Sequence, residues 1–235
     1  SGPAGISTAL DLAKKNISST IIEAGEEFYS DESQSQYEGK IIGDRLESLS
    51  QSRLRQFGGT SAIWGGWCRP LESYDFLKWP ISKKNIDPYL EEACSILEIP
   101  NKFRTSNLNQ EINQAEYQYS LIQFGFHYKE FLKKTDKIKI FLNSQLSHFE
   151  SENKQITHAV IKNNYRTIKI KSKNFVLATG GIENSRLLIW SRIKNRKLLD
   201  DNLPIGKYWM HHPFVYGGKG IVYMSKLKNN FKKNF

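Results

Sequence analysis

The sequence predicts an α/β chain of the dinucleotide-binding kind, and three observations carry that prediction. A glycine turn opens a helix that is followed by a short apolar strand ending in an acid. Strand-like runs then fill residues 138–171, and a second strand-to-helix junction follows them at once.

The elements follow in order. From Pro3 onward Ile6, Ala9, Leu10 and Ala13 recur at i, i+3, i+4 and i+7, one face of a helix. Pro3 suits the first turn, where its missing N–H has no partner to lose. Residues 19–24 (STIIEA) read as a short buried strand with Glu23 near its end. Residues 26–52 are polar and aperiodic, hence a loop with at most a short helix. The stretch FGGTSAIWGG, residues 57–66, holds four glycines in ten, a backbone that a ligand can approach closely. Residues 86–97 read as a helix with Asp87 as N-cap, Pro88 as its first residue and Pro100 beyond its stop. Residues 138–149, 155–162 and 166–171 form a three-strand meander with Asn163-Asn164 as a tight turn. Residues 175–178 (FVLA) then read as a buried parallel strand, Thr179-Gly180-Gly181 as a turn and residues 183–193 as a helix, delivered to the same sheet.

Composition narrows the function classes. Lys and Arg outnumber Asp and Glu by 34 to 24, a net charge of +10. The excess is spread over Lys14-Lys15, Lys83-Lys84, Lys133-Lys134 and the tail at 226–233, and no recognition motif accompanies it. A solvated basic surface is expected, and no nucleic-acid partner. No apolar run reaches the roughly 18 residues of a membrane helix, so no transmembrane segment is expected. Cys68 and Cys94 are too few for a disulfide framework and lack metal-ligand company. A reducing, cytoplasmic setting and no bound metal are expected. The chain opens on Ser1-Gly2-Pro3 with no Met and no strand before it, which suggests a native N-terminus further upstream.

Gly2, Gly5 and Glu23 match the second half of a G-x-G-x-x-G fingerprint followed by an acid, with Pro3 and Ala4 between the glycines. Gly2 would let backbone approach a pyrophosphate, Gly5 would allow close helix-to-strand packing, and the helix N-terminus would offer N–H donors. Glu23, eighteen residues past Gly5, stands where a carboxylate accepts from ribose hydroxyls. The same half-motif serves NAD and FAD alike, and small residues also open ordinary helices.

The segment RLRQFGGTSAIWGGWCRPL, residues 53–71, is more specific. With EAG at Glu23, FVLATGGIENSRLL at 175–188 and IGKYWMHHP at 205–213, it resembles the glucose-methanol-choline oxidoreductase family, in order and over nearly the whole chain. The likeness is strongest to the bacterial sugar-dehydrogenase and pyranose-oxidase-like branch. It implies an FAD-binding Rossmann-like domain of the glutathione-reductase type, residues 1–202, with an inserted β-meander and the start of a substrate domain at 203–235. It implies that Gly58, Gly59, Thr60 and Ser61 turn beside the isoalloxazine, and that Trp64, Gly65 and Gly66 continue that wall. Ala178, Thr179 and Gly180 would pass near the diphosphate, Leu146 would offer main-chain groups to the adenine, and Glu183 and Asn184 would support that end of the site. Taken singly, each has a plainer reading: the glycines as turns, Trp64 as a core aromatic, ATGG as a strand exit.

One departure concerns attachment. Pyranose oxidases of this branch bind FAD covalently through a His in STHW, and the stretch here is Ser61-Ala62-Ile63-Trp64. Ile63 has no nucleophilic nitrogen, so FAD is expected to be non-covalent. The resemblance implies that His212, in the H-P pair, is positional at the passage to the substrate domain, and His211 and His212, adjacent on a strand, make poor paired ligands because their side chains point to opposite faces. The resemblance places the catalytic His pair beyond Phe235, so no catalytic residue is assigned within this chain. The parent enzyme is expected to oxidise a small alcohol or sugar, with oxygen or another acceptor taking the electrons. By itself the chain is expected to be inactive, to fold poorly and to bind FAD weakly. Alternatives are an NAD(P)-dependent dehydrogenase and a non-catalytic truncated product.

Overall fold

The computed structural model describes residues 1–43, 48–107, 113–153, 155–163, 166–196 and 198–210. Helix α1, Pro3–Lys14, begins on Gly2 and buries Ile6, Ala9 and Leu10, as its spacing requires. Asn16, in the left-handed region at φ 59°, turns the chain out of it. Strand β1, Ser19–Ile22, follows, and the expected short helix in the next loop is α2, Asp31–Ser35, capped by the Ser30 hydroxyl.

An excursion of short elements comes next. It contains β2 (Trp67–Cys68), α3 (Lys83–Ile86), α4 (Leu90–Ile96), β3 (Thr105–Asn107), β4 (Asn113–Ala115) and β5 (Gln118–Tyr119). Strands β2 and β5 pair antiparallel, as do β3 and β4. The helix expected over 86–97 is interrupted: Asp87–Tyr89 forms a 3-10 turn between α3 and α4. Its cap is Ser82, reciprocated by Asn85, not Asp87. Pro88 is the physical reason, since it removes a helical donor and crowds the preceding turn.

Helix α5, Phe124–Lys134, leads into β6, Ile138–Phe141, which runs parallel to β1 from Ser19↔Ile138 to Ile22↔Phe141. The run 138–149 is therefore not one meander strand. Asn143, at φ 49°, breaks it, and the Ser144 hydroxyl donates to the Leu142 carbonyl within the turn. The meander proper is β7 (Gln145–Glu152), β8 (Gln155–Lys162) and β9 (Thr167–Lys171). Around the expected turn at 163–164, Arg166 N donates to Asn163 Oδ1, while residue 164 lies outside the described residues. Helix α6, Gly181–Lys194, covers the expected 183–193 and packs on β7, where Ser191 Oγ accepts from Phe149 N.

The layers follow from alternation along β1. Ile21 joins Ile6, Leu10, Phe57, Phe124, Leu132 and Ile138 under α1 and α5, whereas Ile22 packs on the opposite side with Phe149, Ala159, Ile161 and Leu146 of the meander. Burying a side chain such as Ile6 or Leu132 contributes roughly 1.5–3 kcal/mol. Residues 175–178 correct a second expectation. They form no strand, and Val176 is 63% exposed, because no described strand lies alongside to pair with their backbone groups. Phe175 and Leu177 still pack on the meander core, with the Phe175 and Phe149 rings 5.5 Å apart. No helix of the described residues is long and apolar enough to cross a membrane.

Candidate functional site

Helix α1 starts without a side-chain cap. Gly2 is extended there, its carbonyl accepts from Ile6 N at 3.0 Å, and a Cβ added to it would meet nothing within 4 Å. Pro3 has no N–H to offer, so the donors without a side-chain cap in this first turn are those of Ala4 and Gly5. Gly5 packs: a Cβ there would lie 3.6 Å from the Ala178 Cβ.

The turn at Gly58-Gly59 comes against the same helix start. Gly58 N donates to Ser1 Oγ at 3.2 Å, and a Cβ on Gly59 would lie 3.1 Å from the Gly2 Cα. Gly58 is left-handed at φ 88°, and its Cβ would fall 2.4 Å from the nitrogen of Gly125 in α5. Backbone here touches backbone. Ser61 is 2% exposed; its hydroxyl donates to the Gly58 carbonyl at 2.7 Å and accepts from Phe124 N at 3.1 Å. Thr60 is exposed, and its hydroxyl accepts from Leu54 N. Trp64 is half-buried, edge-on to Phe124 at 6.2 Å. Gly65 lies under the Trp67 indole, and Gly66, at φ 72°, is pressed against the Ser120 carbonyl. Ile63 is 61% exposed.

At the end of β1, Glu23 is 8% exposed and accepts from the Ser1 ammonium at 2.9 Å, the Ser1 hydroxyl at 2.6 Å and Gly25 N at 2.8 Å. Three of its roughly four lone-pair positions are thereby used. Burial pushes its carboxyl up, yet the ammonium's charge and these hydrogen bonds outweigh burial and hold it below the ordinary range. Ser144 N donates to the Glu23 carbonyl at 2.8 Å, which brings the residue just before β7 to this acid, while Leu146 packs on the meander core.

The second helix start lies at Gly180, whose φ 85° and ψ 161° suit glycine alone. It too lacks a side-chain cap, and a Cβ there would meet nothing within 4 Å. Asn184 Oδ1 accepts from Thr179 N at 2.9 Å and from the Thr179 hydroxyl at 2.7 Å, which pins the Ala178-Thr179-Gly180 turn. Glu183, 8% exposed, accepts from Arg53 at 2.9 Å and from Arg186 at 2.8 Å, tying α6 to the loop before Gly58. Burial raises its carboxyl; the Arg186 hydrogen bond and the charges of Arg186 and Arg53 lower it further than that. Arg53 in turn covers the Tyr37 ring at 3.9 Å.

The structure thus brings Gly2, Gly5, Gly59, Ala178 and Glu23 around one helix start. Ser61, Trp64 and Gly66 pack the loop against Phe124 and Ser120. Sequence reading assigned no role to Gly125, Arg53 or Arg55. The Arg53–Glu183 pair spans 130 positions, a separation at which spacing carries no signal. His211, His212 and Pro213 lie outside the described residues. Among the described residues no group of three His, Cys, Asp or Glu could hold a metal ion.

A polar cavity of about 160 Å³ opens beside Glu23, bounded by Ala24, Glu26, Glu32, Arg55, Asn143 and Gln145. A larger groove of about 290 Å³ lies across Phe57, against Leu132, Ile138 and Ile140, and no fingerprint glycine lines it.

These features define a mixed α/β protein in which a glycine turn closes on one uncapped helix start, and the segment leading into a second packs against the same helix. No protein-family model matches the chain, and no curated protein matches it in sequence. Its fold is similar to the crystal structure of pyridoxine 4-oxidase from Mesorbium loti, with a TM-score of 0.53 and 14% identity over 79% of this chain and 49% of that one. The chain spans about half the length of that oxidase, and at this identity the likeness is one of fold.

Proposed function

We propose that this chain is the cofactor-holding part of an FAD-dependent oxidoreductase acting on the CH–OH group of a small alcohol, with sugars among its candidates. The carrying observation is the start of α1 set against the Gly58-Gly59 turn, with Ala178, just before the start of α6, packed on Gly5 and with space for a Cβ at both Gly2 and Gly180. Two positive helix ends without side-chain caps suit a diphosphate. The similarity to a pyridoxine oxidase supports the redox class.

In this reading the flavin supplies the hydride-accepting chemistry when bound. The chain's own residues hold it: first-turn N–H groups of both helices take the diphosphate, and Gly58, Gly59, Thr60 and Ser61 line the flavin ring through their main chain. Trp64, Gly65 and Gly66 back that wall. Glu23 meets ribose through its remaining lone pair or by displacing Ser1 Oγ. Leu146 lies toward the adenine, while Glu183 and Asn184 hold the turn at Ala178-Thr179-Gly180. Ile63 at the flavin-side loop leaves the cofactor unattached. Residues 1–202 form the cofactor domain and 203–235 open the substrate domain.

Titration of the purified chain with FAD, read by flavin fluorescence quenching and a visible flavin band, tests this. Saturable FAD binding, lost to the filtrate after denaturation, is expected. Saturable NAD(P) binding with no flavin response overturns it.

A further inference from the structure

Helix α5 and strand β6 bring two periodic patterns to one groove. On α5, Lys129, Leu132 and Lys133 stand at i, i+3 and i+4, on one helix face with the leucine turned inward. On β6 and just beyond it, Ile138, Ile140 and Leu142 alternate with the exposed Lys139 and Phe141, so they share the opposite face of the strand. Phe57 N donates to the Glu26 carbonyl at 2.8 Å, which sets Phe57 and Glu27 on the remaining wall.

The floor of this groove is core and its mouth is charged. Leu132 is 1% exposed and Phe57 and Ile138 are each 6% exposed, yet all three line a space of about 290 Å³. Close-packed interiors leave few such gaps, and apolar ones stay dry and take apolar guests. The volume falls at the lower edge of the roughly 300 to 1,000 Å³ of small-molecule sites. Of the charged groups in the lining, two are ammoniums and one is a carboxylate. Lys129 pairs with Glu27. Hydrogen bonding from Lys129, aided by the charges of Lys129 and Lys133, holds the Glu27 carboxyl below its ordinary value. Glu130, exposed on α5, acts on Lys129 by its charge but lies off the lining. Lys133 pairs with no carboxylate among the described residues, so the lining carries one positive charge in excess.

We propose that this groove binds a small carboxylic acid with an apolar alkyl or aryl body, the body against Phe57, Leu132 and Ile138 and the carboxylate between Lys129 and Lys133. A carboxylate gains charge-assisted contacts there that a neutral guest forgoes, and a cationic guest meets two like charges at the mouth. An apolar interior with its positive charge at the rim matches a molecule whose own charge sits at one end. The site does not depend on the cofactor assignment, since no fingerprint glycine lines it.

The test is calorimetric titration of the 235-residue chain with decanoate, naphthoate and decanol, for the wild type, K133Q and L142W, with circular dichroism to verify folding. The wild type should bind at least one of the two acids saturably, and whichever binds tighter tells an alkyl from an aryl ligand. Decanol should bind more weakly than decanoate. K133Q, a change at an exposed helix position, should weaken the acid about tenfold through the lost charge-assisted contact and leave decanol unchanged. L142W, which fills the groove, should abolish binding of acid and alcohol alike. Wild type that takes neither acid overturns the proposal, as does equal binding of decanoate and decanol that K133Q does not alter. A chain that light scattering shows as a dimer and that takes no acid has its groove covered by a second copy, which overturns it too.

Discussion

Around Gly2 the chain is positioned by backbone meeting backbone, whereas between Trp67 and Tyr119 it is positioned by short pairings whose side chains lie on a surface. In the first region Gly58, Gly59 and Gly125 leave no room for a methyl group, and Ser61 is sealed beneath them. In the second, the Trp67 and Tyr119 rings meet at 5.4 Å, tilted by 60°, on two-residue strands yet stay 70% and 55% exposed. The contrast separates geometry that must hold from surface that is free to face another molecule. Only the first region tolerates almost no change.

The largest effect is expected at Gly58. Alanine there adds a Cβ 2.4 Å from the Gly125 nitrogen at a backbone φ of 88°, so G58A should cost about 3 kcal/mol or more in urea unfolding. A loss under about 1 kcal/mol would show that the loop and α5 can separate cheaply. Next comes E183Q, which leaves Arg53 and Arg186 without their shared acid and should cost about 2 kcal/mol near neutral pH. Glu23 and Glu183 both titrate lower in the fold than in the unfolded chain, so the unfolded chain binds more protons in that interval. Stability should therefore be complete above the ordinary carboxylate value of 4.5 and fall as pH drops through the lowered folded values. E183Q should flatten that fall when melting is followed from pH 6 to 3; an unaltered profile would place the acid sensitivity elsewhere. The smallest effect belongs to W67A, expected within about 0.5 kcal/mol by thermal denaturation. A larger loss would mean that the excursion is tied into the core after all.

Sequence reading reached the elements whose determinants are local. The 3.6-residue spacing of Ile6, Ala9 and Leu10 is written within a few positions of where it acts. It misplaced elements whose state depends on a distant partner. Residues 138–141 look like the beginning of 145–152, and only the parallel match to β1 and the left-handed Asn143 separate them. Residues 175–178 have strand-like composition but no described neighbour to pair with, and strand propensity without a ladder partner does not make a strand. Around the candidate site, the placing of the glycines at turns and helix starts and of Glu23 just past a strand was legible, because each belongs to a short local pattern. Gly125 and the Arg53–Glu183 pair were not, since their meaning arises from contacts 67 and 130 positions away. Arg55 stood in view within RLRQFGG, but its burial among Ser33, Gln34 and Gln145 depends on contacts with separate loops.

The facing glycines, Gly58 and Gly125, carry one more consequence. Most packing faults can be mended by trimming the neighbour, but here the neighbour has nothing left to trim, because the clash would be with main-chain atoms. A change at either position has no second-site remedy in its partner, so any lineage that keeps the loop seated on α5 must inherit both glycines together or lose the seat as a unit.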